Sequence, residues 1–463
     1  MPSSLDPLST PKPWFRTIHP VDAVLCALIL LGCGLRIYNA IAHNPIDHLW
    51  SDPQRHWDHA SKPLEPSPMA LFDPPVYQTW LSIVQRITMG IPGLIAVYAA
   101  ALSVAAPWFW YRFLRETVDS RTLALAGWAA LALLPTWIGI YSYFMTETLL
   151  LPMIGLSLWM TRRAQRRPTL RTFLAMVVAW LFTGLTRGVT IPLAGIACAL
   201  VWFCHPQKLR TALWSALILA ATLTPIAIRN YAFLYLWAPH GNGWLTRIYA
   251  ESGRREILLH FVRNGARWEY GFTSPMADEK PFDFTNDWND SLLSGWRECP
   301  SFLSSEWKSS RTGTVDVYVD FTHGSRDWAK SLEQNALTGT ARWKLRAENI
   351  AYLFQGNSWP DNNRAYFMGW LANLSRWLWI PFFAAVIILS AWKWRCCLEK
   401  PLLPLLIVVW FFFQAWLLVS VNEGRYRKPI EGLLIAQTCI LVDYICRNRQ
   451  KRQKLLATQP EQP

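Results

Sequence analysis

Charge is what this chain has least of. Only 16% of its 463 residues are Asp, Glu, Lys or Arg, while 52% are hydrophobic. A soluble protein of this length carries about a quarter charged residues, so the shortage excludes an ordinary soluble enzyme. Disulfide chemistry is missing too. Of the 9 cysteines, Cys26, Cys33, Cys198, Cys204, Cys439 and Cys446 fall in or at the edge of apolar runs, and Cys396 and Cys397 lie in a basic connection. Cys299 alone belongs to the long polar segment, and one cysteine builds no bridge framework. Neither CxxC nor a Cys/His zinc spacing occurs. No internal repeat is visible, which excludes solenoids and propellers.

What is present in quantity is hydrocarbon. A spanning helix needs roughly 20 mostly apolar residues. Apolar runs of about that kind recur near 21–41, 92–111, 122–141, 148–161, 172–186, 189–204, 211–229, 371–392, 401–420 and 429–446. They predict a mainly α, polytopic membrane protein of about ten transmembrane helices. The first run is long and interrupted by Arg36, and its preceding segment carries just Lys12 and Arg16. It reads as a retained span and not a cleaved signal peptide.

The net charge of +14 raises the question of a nucleic-acid partner, and its distribution answers it. With the amino terminus placed in the cytoplasm, the inner segments are 1–20, 112–121, 162–171, 205–210, 393–400 and 447–463. They hold 20 Lys and Arg against 5 Asp and Glu. The long outer segment, about 230–370, balances 16 basic residues (Arg229 included) with 16 acidic ones. Positive charge at the inner membrane surface therefore accounts for the excess, and no nucleic acid is needed.

The expected organisation is a membrane module over 1–229, an extracytoplasmic segment or small cap over 230–370, further spans over 371–446 and a basic tail over 447–463. Within the cap only a helix around 325–355 can be anticipated. The first outer loop, 42–91, is too polar to span. Its stretch "DPPVYQTWLSIVQRI" predicts a helix lying along the membrane surface, opened by Pro74 and Pro75. Tyr77, Leu81, Val84 and Ile87 would share its apolar face, with Gln78 and Gln85 towards water; a re-entrant or loosely packed loop is the alternative. Many of the 28 tryptophans suit membrane boundaries. Those in outer loops, Trp50 and Trp57 among them, are also suited to stacking on sugar rings.

Titratable groups gather at the same boundary. "HLWSDPQRHWDHA" (48–60) brings Asp52 and Asp58 together with three histidines. A carboxylate partly removed from water there is expected to have a raised pKa and to accept a proton near neutrality, although acids in outer loops are more often simply solvated. His56 and His59, three apart, present two ligands on one helical turn, with no third ligand defined. "YSYFMTETLLLP" places Glu147 in a short outer turn, as an intramembrane-edge acid or a helix cap. "GLTRGVTIPL" places Arg187 in another turn, and "VNEGRYRKPIEGLL" adds Arg425, Arg427 and Lys428. Arginine is shaped to grip phosphate oxygens. Snorkelling to lipid headgroups is the plainer reading, above all for Arg427 and Lys428. One or two acids, several guanidiniums and many aromatics at a lipid boundary suit a substrate with a lipid tail, a phosphate and a sugar.

In this order the pieces resemble the GT-C glycosyltransferases, in the branch of polyprenyl-phosphate-sugar-dependent enzymes related to protein mannosyltransferases and aminoarabinose transferase. "SDPQRHWDHA" is similar to the family's first outer-loop acidic motif and "FDPPVYQTW" to its surface-helix start. "YSYFMTETLLLP" resembles its Thr-Glu turn, "LTRGV" its post-span Arg, "TPIAIRNY" its Arg-Asn-aromatic span end and "NEGRYRKPIEGLL" its Arg-Tyr-Arg opening of a late span. The resemblance implies inverting transfer of a sugar from a polyprenyl-phosphate carrier to a lipid, glycan or protein acceptor on the extracytoplasmic face. No retention signal or eukaryotic targeting motif is visible in the sequence, which favours a bacterial inner membrane. Asp52 would be the catalytic base or acceptor orienter, with Glu147 and Asp58 as supporting acids. Arg425, Arg229 and Arg187 would face the donor phosphate, and Asp73, Tyr77, His56 and Tyr426 would line the substrate loop. Family members differ in needing a divalent metal, so that cofactor stays open. Two departures stand out: Asp58 competes with Asp52 for the acidic role, and Asp73 stands where a His is frequent. A secondary transporter or lipid-linked-sugar flippase, and a non-catalytic assembly protein, are the other classes these residues allow.

Overall fold

The computed structural model describes residues 19–50, 52–62, 74–234, 268–269, 283–284, 353–354, 367–413 and 424–457. Asp73, most of the expected cap and its anticipated helix lie outside them, apart from a helical Leu353–Phe354 and a two-residue antiparallel pairing of Trp268–Glu269 with Asp283–Phe284. Everything else described is helix or connection.

The helices run α1 (Pro20–Ala42), α2 (Asp52–Ala60), α3 (Pro75–Thr88), α4 (Pro92–Arg115), α5 (Arg121–Leu133), α6 (Pro135–Gly139), α7 (Thr146–Arg166), α8 (Leu170–Thr186), α9 (Ile191–Phe203) and α10 (Lys208–Leu234). After the cap come α11 (Phe367–Trp392), α12 (Trp394–Glu399), α13 (Leu402–Phe411) and α14 (Lys428–Ala457). Local sequence explains their starts. Proline occupies the first turn of α1, α3, α4, α6 and α9, where its missing N–H is not needed. Ser120 caps α5 through the Leu123 amide, and Thr169 with Thr172 forms a reciprocal cap on α8.

Among the described residues five helices are long and apolar enough to cross a membrane: α1, α4, α10, α11 and the segment around α14. They become six if α5 and the stretch Pro135–Ser142, bent by 57°, count as one span. The other expected spans are shorter or more charged. At 1.5 Å per residue, α8 reaches about 26 Å and α9 about 20 Å, below the ~30 Å hydrocarbon core. Helix α7 is longer but carries Glu147, Arg162 and Arg163. Runs that look alike in the sequence thus divide into full-length helices and shorter ones packed between them. The "LTRGV" turn does separate a helix pair, α8 and α9, joined by the 3-10 turn Gly188–Thr190.

Helix α14 runs through the middle, 67% of its apolar window being buried. It meets α4 and α7 at Trp110, whose indole donates to the Leu151 carbonyl at 2.9 Å. A Cβ on Gly155 would come within 2.5 Å of the Trp110 ring, and one on Gly432 within 2.6 Å. Only glycine permits that three-helix approach.

The α5/α6 break is held from both sides. Pro135 interrupts the helix and frees carbonyls, and Arg36, fully buried, answers them. Its guanidinium donates to the carbonyls of Leu131 (2.7 Å), Ala132 (2.9 Å) and Trp137 (3.1 Å), and to the Ser103 carbonyl and hydroxyl (2.9 Å each). On the other side Lys428 Nζ donates to the Thr136 carbonyl (2.6 Å), and the Thr136 hydroxyl donates to Glu431 (2.6 Å). Arg427 pairs with Glu431 at 2.7 Å and reaches the carbonyls of Leu353 and Phe354. Arg427, Lys428 and Glu431 are all fully buried. The headgroup reading of Arg427 and Lys428 is therefore corrected: both charges sit inside the bundle, where each is paired or hydrogen-bonded because an isolated one would be too costly.

At the opposite end from this knot the basic connections are tied down. Asp443 accepts from the amides of Asp119 and Ser120 at 3.2 Å, Arg447 pairs with Asp119 at 3.1 Å, and Lys400 donates to the Thr117 carbonyl at 2.8 Å.

Candidate functional site

Asp52 opens α2. A carboxylate in the first turn interacts favourably with the helix dipole, and Arg55, one turn on, reaches back to Asp52 Oδ1 at 2.5 Å. Helix α2 is not a loose loop. Ala60 packs with Tyr77, Leu81 and Val84 of α3 and with Phe144 and Leu149 in a small core of its own. Trp57 stacks on Phe144 at 4.4 Å, and the ring of buried His56 stands edge-on to Tyr77 at 5.2 Å. The amphipathic pattern of α3 needs two adjustments. Ile87 is 71% exposed, as a lipid-facing side chain would be, and Gln78 is buried, while Gln85 donates to the Trp57 carbonyl.

Three other segments converge on Asp52. Arg425, in the 3-10 turn Gly424–Arg427, donates to Asp52 Oδ2 at 3.1 Å from 373 residues away in the chain. Its Nη2 also donates to the Tyr426 hydroxyl at 3.2 Å. Two guanidiniums lie near the Tyr426 ring, Arg187 at 4.6 Å and Arg425 at 5.1 Å from its centre, distances at which cation–π attraction acts. Arg187, extended at the end of α8, pairs with Glu147 in the first turn of α7. The site is thus a row: Arg55, Asp52, Arg425, Tyr426, Arg187, Glu147.

Two acids face three arginines in that row, an excess of positive charge suited to an anion. Burial, the largest influence on Asp52, pushes its pKa up, but Arg425, then Arg55 and His56, pull harder, and the carboxyl is held below its ordinary value. The expectation of a raised pKa is therefore overturned: the loop is inside a cage of cations, not merely dehydrated. Glu147 behaves alike. Its complete burial raises the pKa, Arg187 and Arg425 lower it more, and the result is about 2. Both acids are ionised at neutral pH.

The remaining sequence candidates sort by position. Asp58 is exposed, and its carbonyl receives Ser61 at the end of α2; Asp52, not Asp58, joins the arginines. His56 and Tyr77 lie behind the site as packing partners. Arg229 lies near the end of α10, in its apolar stretch. Asp73 lies outside the described residues. One participant was not singled out from sequence: Arg55, whose signal was the Asp–x–x–Arg spacing that pairs side chains on one helical turn. Outside the row, the structural role of Arg36 also had a signal, an ionisable residue inside an apolar run.

Among the described residues no three His, Cys, Asp or Glu side chains gather as a metal site requires. Asp52 accepts from two arginines, and Glu147 from Arg187 and the Thr146 hydroxyl. These residues do not fit a resident divalent ion, and no step is routed through one. Neither the protein-family models nor the curated proteins match this chain.

Proposed function

We propose that the chain is an integral-membrane glycosyltransferase of the GT-C kind, moving a sugar from a polyprenyl-phosphate-linked donor to a lipid, glycan or protein acceptor. The observation that carries the reading is the pairing of Asp52 with Arg425 in a row that also holds Arg187, Tyr426 and Glu147. An acid beside phosphate-shaped cations is what this chemistry requires. The acceptor hydroxyl oxygen attacks the anomeric carbon, its proton passes to Asp52, and the bond from that carbon to the phosphate oxygen breaks. The electron pair leaves on polyprenyl phosphate, stabilised by Arg425 and Arg187. Phosphate is a good leaving group, so no strong general acid is needed. A weakly basic carboxylate serves if proton transfer follows development of positive charge on the sugar.

The proposed orientation puts both termini in the cytoplasm, because the basic connections lie at the end away from the row. The site then faces the non-cytosolic side of the membrane, where lipid-borne sugars and their acceptors would meet. About ten membrane-crossing or partly crossing helices belong to this reading.

The test is transfer of labelled sugar in proteoliposomes from polyprenyl-phosphate-linked donors. Asp52→Asn is expected to lower the rate at least ~1,000-fold with the protein still folded and inserted, since both the base and the charge partner of Arg425 are lost. Asp58→Asn is expected to retain at least half the rate. Loss of transfer in Asp58→Asn with retention in Asp52→Asn would reassign the acid.

A transporter or flippase is the second reading. The broken α5/α6 helix and the buried Arg36, Lys428 and Glu431 beside it are features transporters place near the bilayer midplane. Each of these groups is hydrogen-bonded within the bundle, which favours a structural role. Substrate flux without any sugar transfer would favour the second reading.

A further inference from the structure

The two guanidiniums on Asp52 differ in how they are held. Arg55 belongs to the same helix and grips Oδ1 at 2.5 Å from one turn away. Arg425 comes from a separate turn and touches Oδ2 at 3.1 Å, while its other nitrogen rests on the Tyr426 hydroxyl. Each oxygen of the acid accepts from one guanidinium, and both cations lower its basicity towards an acceptor proton. The second acid, Glu147, pairs with Arg187 through one oxygen and accepts from the Thr146 hydroxyl through the other. The same cations would bind the donor phosphate. Acid and phosphate therefore compete for Arg425.

We propose that Arg425 is an exchangeable clamp: the carrier's phosphate draws it off Asp52 Oδ2, and Arg55 stays on Oδ1 as a positioning residue that aims the freed oxygen at the acceptor. This rests on the glycosyltransferase reading and adds an order to it: donor first, acceptor second. Several features favour the exchange. Arg425 already spans two partners, so its guanidinium can turn about Tyr426 without leaving the ring. Arg187 lies 4.6 Å from the centre of the same ring, near enough to take another phosphate oxygen. The row carries one positive charge more than its two acids neutralise, so an arriving anion meets net attraction. The charged and titratable groups that act on Asp52 are Arg55 and His56 of its own helix and Arg425 of the facing turn. Of these only Arg425 is supplied by a separate segment. No covalent step is added: the hydroxyl proton still goes to Asp52, and the departing electron pair still goes to the phosphate oxygen that Arg425 then holds.

The experiment follows the protonation of Asp52 in the whole protein by carbodiimide labelling, which modifies the neutral acid, read by peptide mass spectrometry across pH. The probe is farnesyl phosphate, with farnesol as the tail-only control, and binding is followed separately by tryptophan fluorescence. Saturating farnesyl phosphate is expected to speed Asp52 labelling about tenfold at fixed pH, one unit of carboxyl pKa, and farnesol is expected to leave it unchanged. Arg425→Ala should label fast with or without the probe, and Arg425→Lys should restore part of the protection. Arg55→Lys should keep the response to the probe while Arg55→Gln changes the pH midpoint. If farnesyl phosphate binds but Asp52 labelling does not change, the exchange is overturned and the glycosyltransferase reading stands. If it does not bind at all, both fall.

Discussion

Residue by residue, the site is a set of charges that restrain one another. Asp52 and Glu147 are held ionised by the arginines they face, and this has a pH signature. A carboxylate whose pKa is lowered by folding contributes stability above its ordinary value, and that contribution disappears as pH falls towards the lowered value. For Glu147 the window runs from 4.5 down to about 2. Thermal melting in detergent is expected to stay level from neutrality to about pH 5 and then to fall, and in Glu147→Gln the part of the fall due to this pair should vanish. That variant should also melt lower at neutral pH, by the equivalent of about 3 kcal/mol, because Arg187 keeps a largely buried charge without its partner. An unchanged melting curve would show that the pair is not formed. Catalysis should show a related asymmetry. If the donor phosphate loosens Arg425 from Asp52, the acid limb of kcat, which reports the bound complex, should lie at higher pH than that of kcat/KM for the donor, which reports the free protein. Coincident limbs would count against the exchange.

Among elements, the α5/α6 break explains why a chain with so few charges buries several of them. Pro135 ends α5 and leaves carbonyls in a region without water, and Arg36 supplies donors for them. Arg36→Leu would leave these acceptors unsatisfied, at about 1–3 kcal/mol each. It is expected to abolish a folded, monodisperse protein in size-exclusion chromatography, with Arg36→Lys recovering part of it. Gly432→Ala should be nearly as damaging, since the added methyl meets the Trp110 ring at 2.6 Å. A monodisperse Arg36→Leu protein would contradict the structural role given to this residue. These elements also mark the limit of what the sequence discloses. The Pro-Pro start of α3, the helix pair around Arg187 and the helical start at Glu147 are local features, set by residues within one turn of each other, and they were legible. The Asp52–Arg425 pair joins residues 373 positions apart, and no local rule reports it. Arg427 and Lys428 misled for the same reason: a cation at a span end looks like a headgroup contact until its distant partners, Glu431 excepted, are in place. The lowered pKa of Asp52 was out of reach too, because proximity to the membrane edge indicates burial but not the cations that outweigh it.

For the molecule as a whole, the row of acids and arginines lies at one end of the bundle and the basic connections at the other. In the proposed orientation the charge bias of the connections, readable from sequence alone, turns the site towards the non-cytosolic side. Protease added outside sealed right-side-out vesicles should cut within 235–352 and spare 447–463; the reverse pattern would turn the site towards the cytoplasm and remove the proposed chemistry. The span count was the least legible feature at this scale. Hydropathy does not tell a helix that crosses from a shorter one that fills the space between two crossing helices, and α8 and α9 are of the second length. The central claim is that Asp52 directs a sugar from a lipid phosphate onto an acceptor. Its most direct measurement compares, by mass spectrometry, the glycolipids and glycoproteins of cells producing the wild-type chain or Asp52→Asn at equal membrane abundance. The account predicts one class of molecule heavier by a single sugar in the wild type and absent in the variant; identical spectra at equal abundance would contradict it.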